Sequence, residues 1–203
     1  MTQRGVVRTQ VTDLVVGTRD RIVLVVRWTA LLWVLEVVDS IVLGQRLNQF
    51  GIRPRELSGL WGIVFSPFLH GGFGHLIANT IPFLALGFLT SARRKSDFYV
   101  VAIGSAVIGG LGTWLIGMPA TTHIGMSGVI FGMLGFLMGS GFFERSLPAI
   151  AMSGLVTFLF GGMLWGVLPS METNISWEGH LFGFLGGILM ARLLGSVRRR
   201  RSA

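Results

Sequence analysis

The sequence predicts an all-α polytopic membrane protein, a bundle of six helices with both termini on the cytoplasmic side. Three observations carry that expectation. The 203 residues are 51% apolar and only 13% charged, where a soluble domain of this size carries roughly a quarter charged residues. Mean hydropathy is +0.69. Six apolar stretches recur at the length of about 20 residues that a helix needs to cross the hydrocarbon core. Thirty glycines suit the same class, because small residues let membrane helices approach closely.

The six stretches are residues 22–43, 74–92, 98–118, 124–143, 148–168 and 178–195. The first is the least apolar, since Arg27, Glu36 and Asp39 fall inside it. Arg27 is expected to snorkel toward the cytoplasm, with the two acids near the outer end. Residues 44–73 form the one long connection. Their apolar part, LWGIVFSPFL at 60–69, is too short to cross, and Trp61 and Pro67 suit a segment lying in the outer interface. Two readings of it stand side by side: an ordinary surface loop, or a loop that flanks a site and admits a substrate helix sideways. The remaining separators are short: SARRKSD at 91–97, MPATTH at 118–123, FERSLP at 143–148 and LPSMETNISWE at 168–178.

Orientation follows from the basic residues. With the N-terminus inside, the inner face carries Arg4, Arg8, Arg19, Arg21, Arg93, Arg94, Lys95, Arg145, Arg192 and Arg198 to Arg201, against Arg46, Arg53 and Arg55 outside. The expected organisation is a short cytoplasmic tail at 1–21, a membrane domain at 22–195 and a basic cytoplasmic tail at 196–203. The net charge of +8 resides in these topology signals, not in a basic groove with stacking aromatics, so no nucleic-acid partner is expected. The absence of cysteine excludes disulfides, thiolate catalysis and Cys-ligated zinc. No cleavable signal peptide, cofactor or metal site is expected either.

Spans two, four and six then start on the outer side, and each start carries polar chemistry: HLIAN at 75–79, GMSG at 125–128 and GHLFG at 179–183. Ser127 opens span four, where unpaired N–H groups and the positive end of the helix dipole favour developing negative charge. Gly125 and Gly128 leave room beside its hydroxyl, and both are expected among the glycines of close helix packing. Gly179, Gly183 and Gly187 form a stripe on span six, and Gly128, Gly132, Gly135 and Gly139 one on span four. Close packing of the two stripes brings Ser127 and His180 into hydrogen-bond reach, with Phe131 one turn below Ser127 positioned to hold the imidazole. His75 and Asn79, at i and i+4 on span two, are expected to stabilise an oxyanion, each such donor contributing about 10²–10³ in rate; polar glue between helices is their alternative. His123 stands four residues before Ser127 as a second candidate base, or with His70 as a loop residue. No acid is placed behind His180, so a Ser–His dyad is expected rather than a triad.

On these residues the chain resembles the rhomboid intramembrane serine proteases. The likeness runs from span one to span six through LHGGFGHLIAN, GMSG and GHLFGFLGG. It implies that Ser127 is the nucleophile and His180 the general base, with His75, Asn79 and the Ser127 N–H around the oxyanion. It implies further that residues 44–73 are the family's membrane-embedded first loop and span five its lateral gate. The substrates would be transmembrane proteins of the surrounding bilayer; small size and the lack of organelle signals point to a bacterial plasma membrane as the setting. Two departures stand out: Trp61-Gly62 where the family often has Trp-Arg, and Gly179 where it often has alanine. Neither removes a catalytic group. A rhomboid-like protein that binds membrane clients without cutting them is the alternative, and it would be expected to lack Ser127 or His180. A small transporter is a third option; no internal repeat favours it.

Overall fold

The structure is a computed structural model that describes residues 3–169 and 176–202, with side chains from Val16 to Arg198. Part of the 168–178 connection and the side chains of Arg4, Arg8 and Arg199 to Arg201 therefore lie outside the described residues. The described chain is helical throughout, with no strand beyond one isolated bridge between Ile52 and His123. Its helices are α1 (Gln3–Val38), the short α2 (Gly62–Phe65), α3 (Phe73–Arg93), α4 (Lys95–Ile116), α5 (Ser127–Glu144), α6 (Leu147–Phe160) and α7 (Trp177–Ser202).

Among the described residues, five helical segments are long and apolar enough to cross a membrane: Phe73–Arg93, Lys95–Ile116, Ser127–Glu144, Leu147–Val167 and Trp177–Arg198. They match the second to sixth expected spans to within a few residues. The first does not stand among them. α1 starts well before residue 22, and a π-helical turn, Asp39–Leu43, continues it to Gly44. Nothing between residues 3 and 21 breaks a helix, so the polar leader continues into the apolar stretch as one rod, while Arg27, Glu36 and Asp39 dilute that stretch.

α5 is the core of the bundle. Of its span 61% is buried, against 11% for Leu147–Val167 on the periphery. The glycine stripes explain the central position. A Cβ on Gly183 would lie 2.1 Å from the Gly128 carbonyl oxygen, and one on Gly187 would lie 1.8 Å from that of Gly132. Backbone thus meets backbone where α5 crosses α7, which only glycine permits. Phe131, Met133, Leu134, Phe136 and Leu137 of α5 fill the surrounding core.

The end of the bundle away from Ser127 is tied by charge. Arg198 of α7 donates to both oxygens of Asp97 at 2.6 and 2.5 Å and to Glu144 at 2.6 Å. Glu144 also pairs with Arg93. One network thereby joins the ends of α3, α5 and α7 to the start of α4. At the other end, residues 44–72 fold into short helical turns. Glu36, 2% exposed, accepts from Ser40 Oγ (2.6 Å) and Gln45 Nε2 (3.1 Å), and Asp39, 3% exposed, accepts from the Leu47 N–H (2.9 Å). The two acids of the first stretch therefore fasten the exit of α1 to the loop.

Candidate active site

Ser127 is the first residue of α5, and the segment leading to it is stitched to the long loop. Ile52 and His123 exchange two backbone hydrogen bonds of 2.9 Å, and the Gly125 N–H donates to the Ser66 carbonyl at 2.8 Å. The Met126 N–H donates to His70 Nε2 at 3.4 Å, with His70 1% exposed. Gly62 lets the loop fold on itself, since a Cβ there would lie 2.3 Å from the Gly51 carbonyl carbon. The loop thus sets where α5 begins.

The Ser127 hydroxyl donates to His180 Nε2 at 2.8 Å. His180 Nδ1 lies 2.9 Å from the Gly166 carbonyl oxygen. A carbonyl can only accept, so Nδ1 carries the proton and the Nε2 lone pair of the neutral ring faces the serine. Phe131 lies flat on the imidazole, ring centroids 4.2 Å apart and planes inclined by 13°. The ring is held on one face, at one nitrogen by backbone and at the other by the serine.

His75 and Asn79 stand on α3, and His75 lies beside this pair. Gly125 has φ +121°, and a Cβ there would lie 2.8 Å from His75 Nε2 and 3.7 Å from Ser127 Oγ, so imidazole and hydroxyl flank the same glycine. Asn79, 5% exposed, donates through Nδ2 to the His75 carbonyl at 2.9 Å. Among the glycines read as helix contacts, Gly128, Gly132, Gly183 and Gly187 lie between α5 and α7. Gly125 does not: it precedes the helix and supplies a left-handed turn against His75. Gly179 shares the interface only through its carbonyl, which lies 3.3 Å from a Cβ on Gly128; its own α-carbon faces Ser176 and Thr113.

His123 is elsewhere. Its ring nitrogens sit 2.8 Å from Thr121 Oγ1 and 2.8 Å from Ser176 Oγ, and burial pushes its pKa below the usual histidine value. It clasps the leader of α5 to the start of α7 and makes no contact with the serine in this arrangement. The partner that sequence reasoning missed is the Gly166 carbonyl. Its signal is faint: a glycine near the end of span five, where a Cβ would come within 3.0 Å of Phe131 and 3.4 Å of His180.

A family model, the Rhomboid domain, matches residues 57–197. The chain belongs to the rhomboid family. An uncharacterized protein of Mycobacterium tuberculosis (strain H37Rv) is 42% identical over 186 residues, covering 88% of this chain and 77% of the relative. YdcA of Bacillus subtilis (strain 168), a proposed rhomboid protease, is 33% identical over 143 residues, 70% of each chain. RHOMBOID-like protein 5 of Arabidopsis thaliana is 31% identical over 74% of this chain and 48% of its own length. This rhomboid protein is a multi-pass integral membrane protein, and the three motifs around its Ser127 all fall within the matched region.

Proposed function

We propose that this rhomboid is an intramembrane serine endopeptidase that hydrolyses a peptide bond in or near the transmembrane segment of a membrane-protein substrate. The observation that carries the reading is the hydrogen bond from Ser127 to a histidine whose tautomer is fixed from behind by a carbonyl. His180 Nε2 takes the hydroxyl proton as Ser127 Oγ attacks the substrate carbonyl. The resulting imidazolium donates that proton to the leaving amine, and the acyl-enzyme is then hydrolysed by a water that His180 activates in the same way. No carboxylate is needed behind His180, because the Gly166 carbonyl does the orienting part of that work.

The developing oxyanion meets the free N–H groups at the start of α5, its helix dipole, and the side chains of His75 and Asn79. Asn79 keeps one amide hydrogen beyond the bond to His75, which is available for this purpose. A substrate helix has to unwind locally to present its carbonyl, so helix-breaking and small residues are expected around the scissile bond.

The proposed topology is six spans, with α1 as the first and both termini cytoplasmic. It rests on the clustering of Arg93, Arg94, Lys95, Arg145 and Arg198 at the end of the bundle opposite Ser127. The site then lies toward the outer face of a bacterial plasma membrane.

The test is labelling of the detergent-solubilised protein with a fluorophosphonate serine probe, alongside cleavage of a transmembrane reporter. Wild type is expected to label and cleave. Ser127→Ala and His180→Ala are expected to lose both activities by more than about 10⁴-fold, the scale of losing a catalytic serine or its base. Unchanged cleavage in Ser127→Ala would overturn the proposal.

A further inference from the structure

Between α1 and α4 a groove stands open along the side of the bundle, because α1 packs along α3 while α4 packs on α5 and α7. It holds two adjoining hollows. The first, about 310 Å³, is apolar. Phe83, Phe98, Ala102, Ala106 and Met126 are among its walls, Pro67 and Phe68 of the long loop close its far end, and no charged side chain among the described residues lines it. The second, about 730 Å³, lies nearer the start of α4 and is lined by Arg19, Asp20, Arg27 and Lys95. Trp28 and Tyr99 line both, so the two form one passage, basic at one end and greasy along its length.

The charges at the basic end are not balanced. Asp20 is taken up by Lys95 at 2.7 Å. Arg19 and Arg27 have no carboxylate within ion-pair distance among the described residues. Arg27 stands two turns beyond Asp20, roughly 10 Å further along α1. A guanidinium at that depth swings its head back toward the water, which is toward the Lys95 end. From Lys95 to Ala106 α4 rises roughly 16 Å, close to the depth of one leaflet of hydrocarbon, about 15 Å. The passage therefore has the polarity and the length of a single lipid lying parallel to the helices.

We propose that this passage binds one anionic glycerophospholipid of the leaflet at the Lys95 end. Its phosphate lies among Arg19, Arg27 and Lys95, and one acyl chain runs between Trp28 and Tyr99 to end beneath the loop. There it meets Met126, the residue before Ser127, and Pro67, so the chain fills the space behind the segment that positions the serine. A free phosphate ion would leave the apolar arm empty, and a zwitterionic lipid would bring its own cation to a site already rich in them.

The experiment is native mass spectrometry of the full chain, delipidated in a neutral detergent and titrated in parallel with phosphatidylglycerol, phosphatidylcholine and inorganic phosphate. One saturable phosphatidylglycerol adduct is expected, with phosphatidylcholine held at least about fivefold more weakly and no saturable phosphate binding. Arg27→Gln should weaken the phosphatidylglycerol adduct about fivefold, the effect of one basic residue at an anionic surface. Ala106→Phe, or the milder Ala102→Leu, fills the apolar arm and should weaken it as well. Arg46→Gln, in the loop and outside the groove, should leave it unchanged. Size-exclusion profiles and melting curves identify any variant that has not folded, and the milder filler replaces it. Equal retention of the two lipids, or phosphatidylglycerol binding unaltered in both Arg27→Gln and Ala102→Leu, would overturn the proposal. Saturable phosphate binding that displaces the lipid would overturn it in favour of a plain anion site.

Discussion

At the scale of single residues, the arrangement separates the groups proposed to react from the groups that hold them. Asn79 is buried and already tied to its own helix, so Asn79→Ala removes a donor without opening the fold. A loss of about 10²–10³ in kcat with little change in KM is expected in the reporter assay, the usual effect of deleting one oxyanion donor. His70 makes a different prediction. Burial pushes its pKa from 6.5 down to about 3, so the folded protein keeps the ring neutral and able to accept from Met126. On acidification the unfolded chain takes up this proton first, so the folded state loses stability as pH falls from about 6.5 toward 3. His70→Gln should flatten the dependence of Tm on pH across that range, measured in detergent by differential scanning fluorimetry. The side chains proposed to react were legible in the sequence because serine, histidine and asparagine are rare and conspicuous at the starts of apolar spans. The Gly166 carbonyl was not, because every residue has one and only the fold decides which carbonyl faces an imidazole. Gly125 was misread as helix packing for a related reason: a glycine needed for positive φ and one needed for close approach look alike in sequence.

At the scale of elements, the crossing of α5 and α7 sets the distance on which the chemistry depends. Gly187→Ala would place a methyl group 1.8 Å from the Gly132 carbonyl, and the helices must part to admit it. A displacement of about 1 Å at the site can cost about 10²-fold, so Gly187→Ala should lower kcat/KM by at least that factor while the protein still inserts and folds. The ionic network at the opposite end acts on stability instead. Asp97→Asn should destabilise by about 3 kcal/mol, the lower end for breaking a buried pair, because Arg198 keeps Glu144; unfolding in a denaturing detergent would measure it. The glycine stripes were readable from their three- and four-residue spacing. The starts and ends of spans two to six were readable from polar separators. The long α1 was not, because polar residues compatible with a helix give no signal of where solvent ends and membrane begins.

At the scale of the molecule, stability is graded from the centre outward. α5 is enclosed on all sides, whereas the Leu147–Val167 segment buries little and turns Leu155, Phe158, Leu159 and Trp165 outward. Amide hydrogen exchange should follow that gradient, fastest along Leu147–Val167 and slowest in α5; uniform exchange across both would contradict it. The overall class was legible from hydropathy alone, and the helix count nearly so. The stitching of the loop to the start of α5 was not, since apart from the His70 imidazole it runs through backbone N–H and carbonyl groups.

The carbonyl that orients His180 belongs to the most loosely held segment of the bundle. An excursion of that segment would carry the acceptor away, free the imidazole to rotate and take the other tautomer, and so uncouple Ser127 from its proposed base. Under the proposed function, opening the side of the bundle and activating the nucleophile would in this way be mutually exclusive in time. A polypeptide entering past Gly166 would then meet a disarmed serine, and the site would rearm only once the wall had closed behind it.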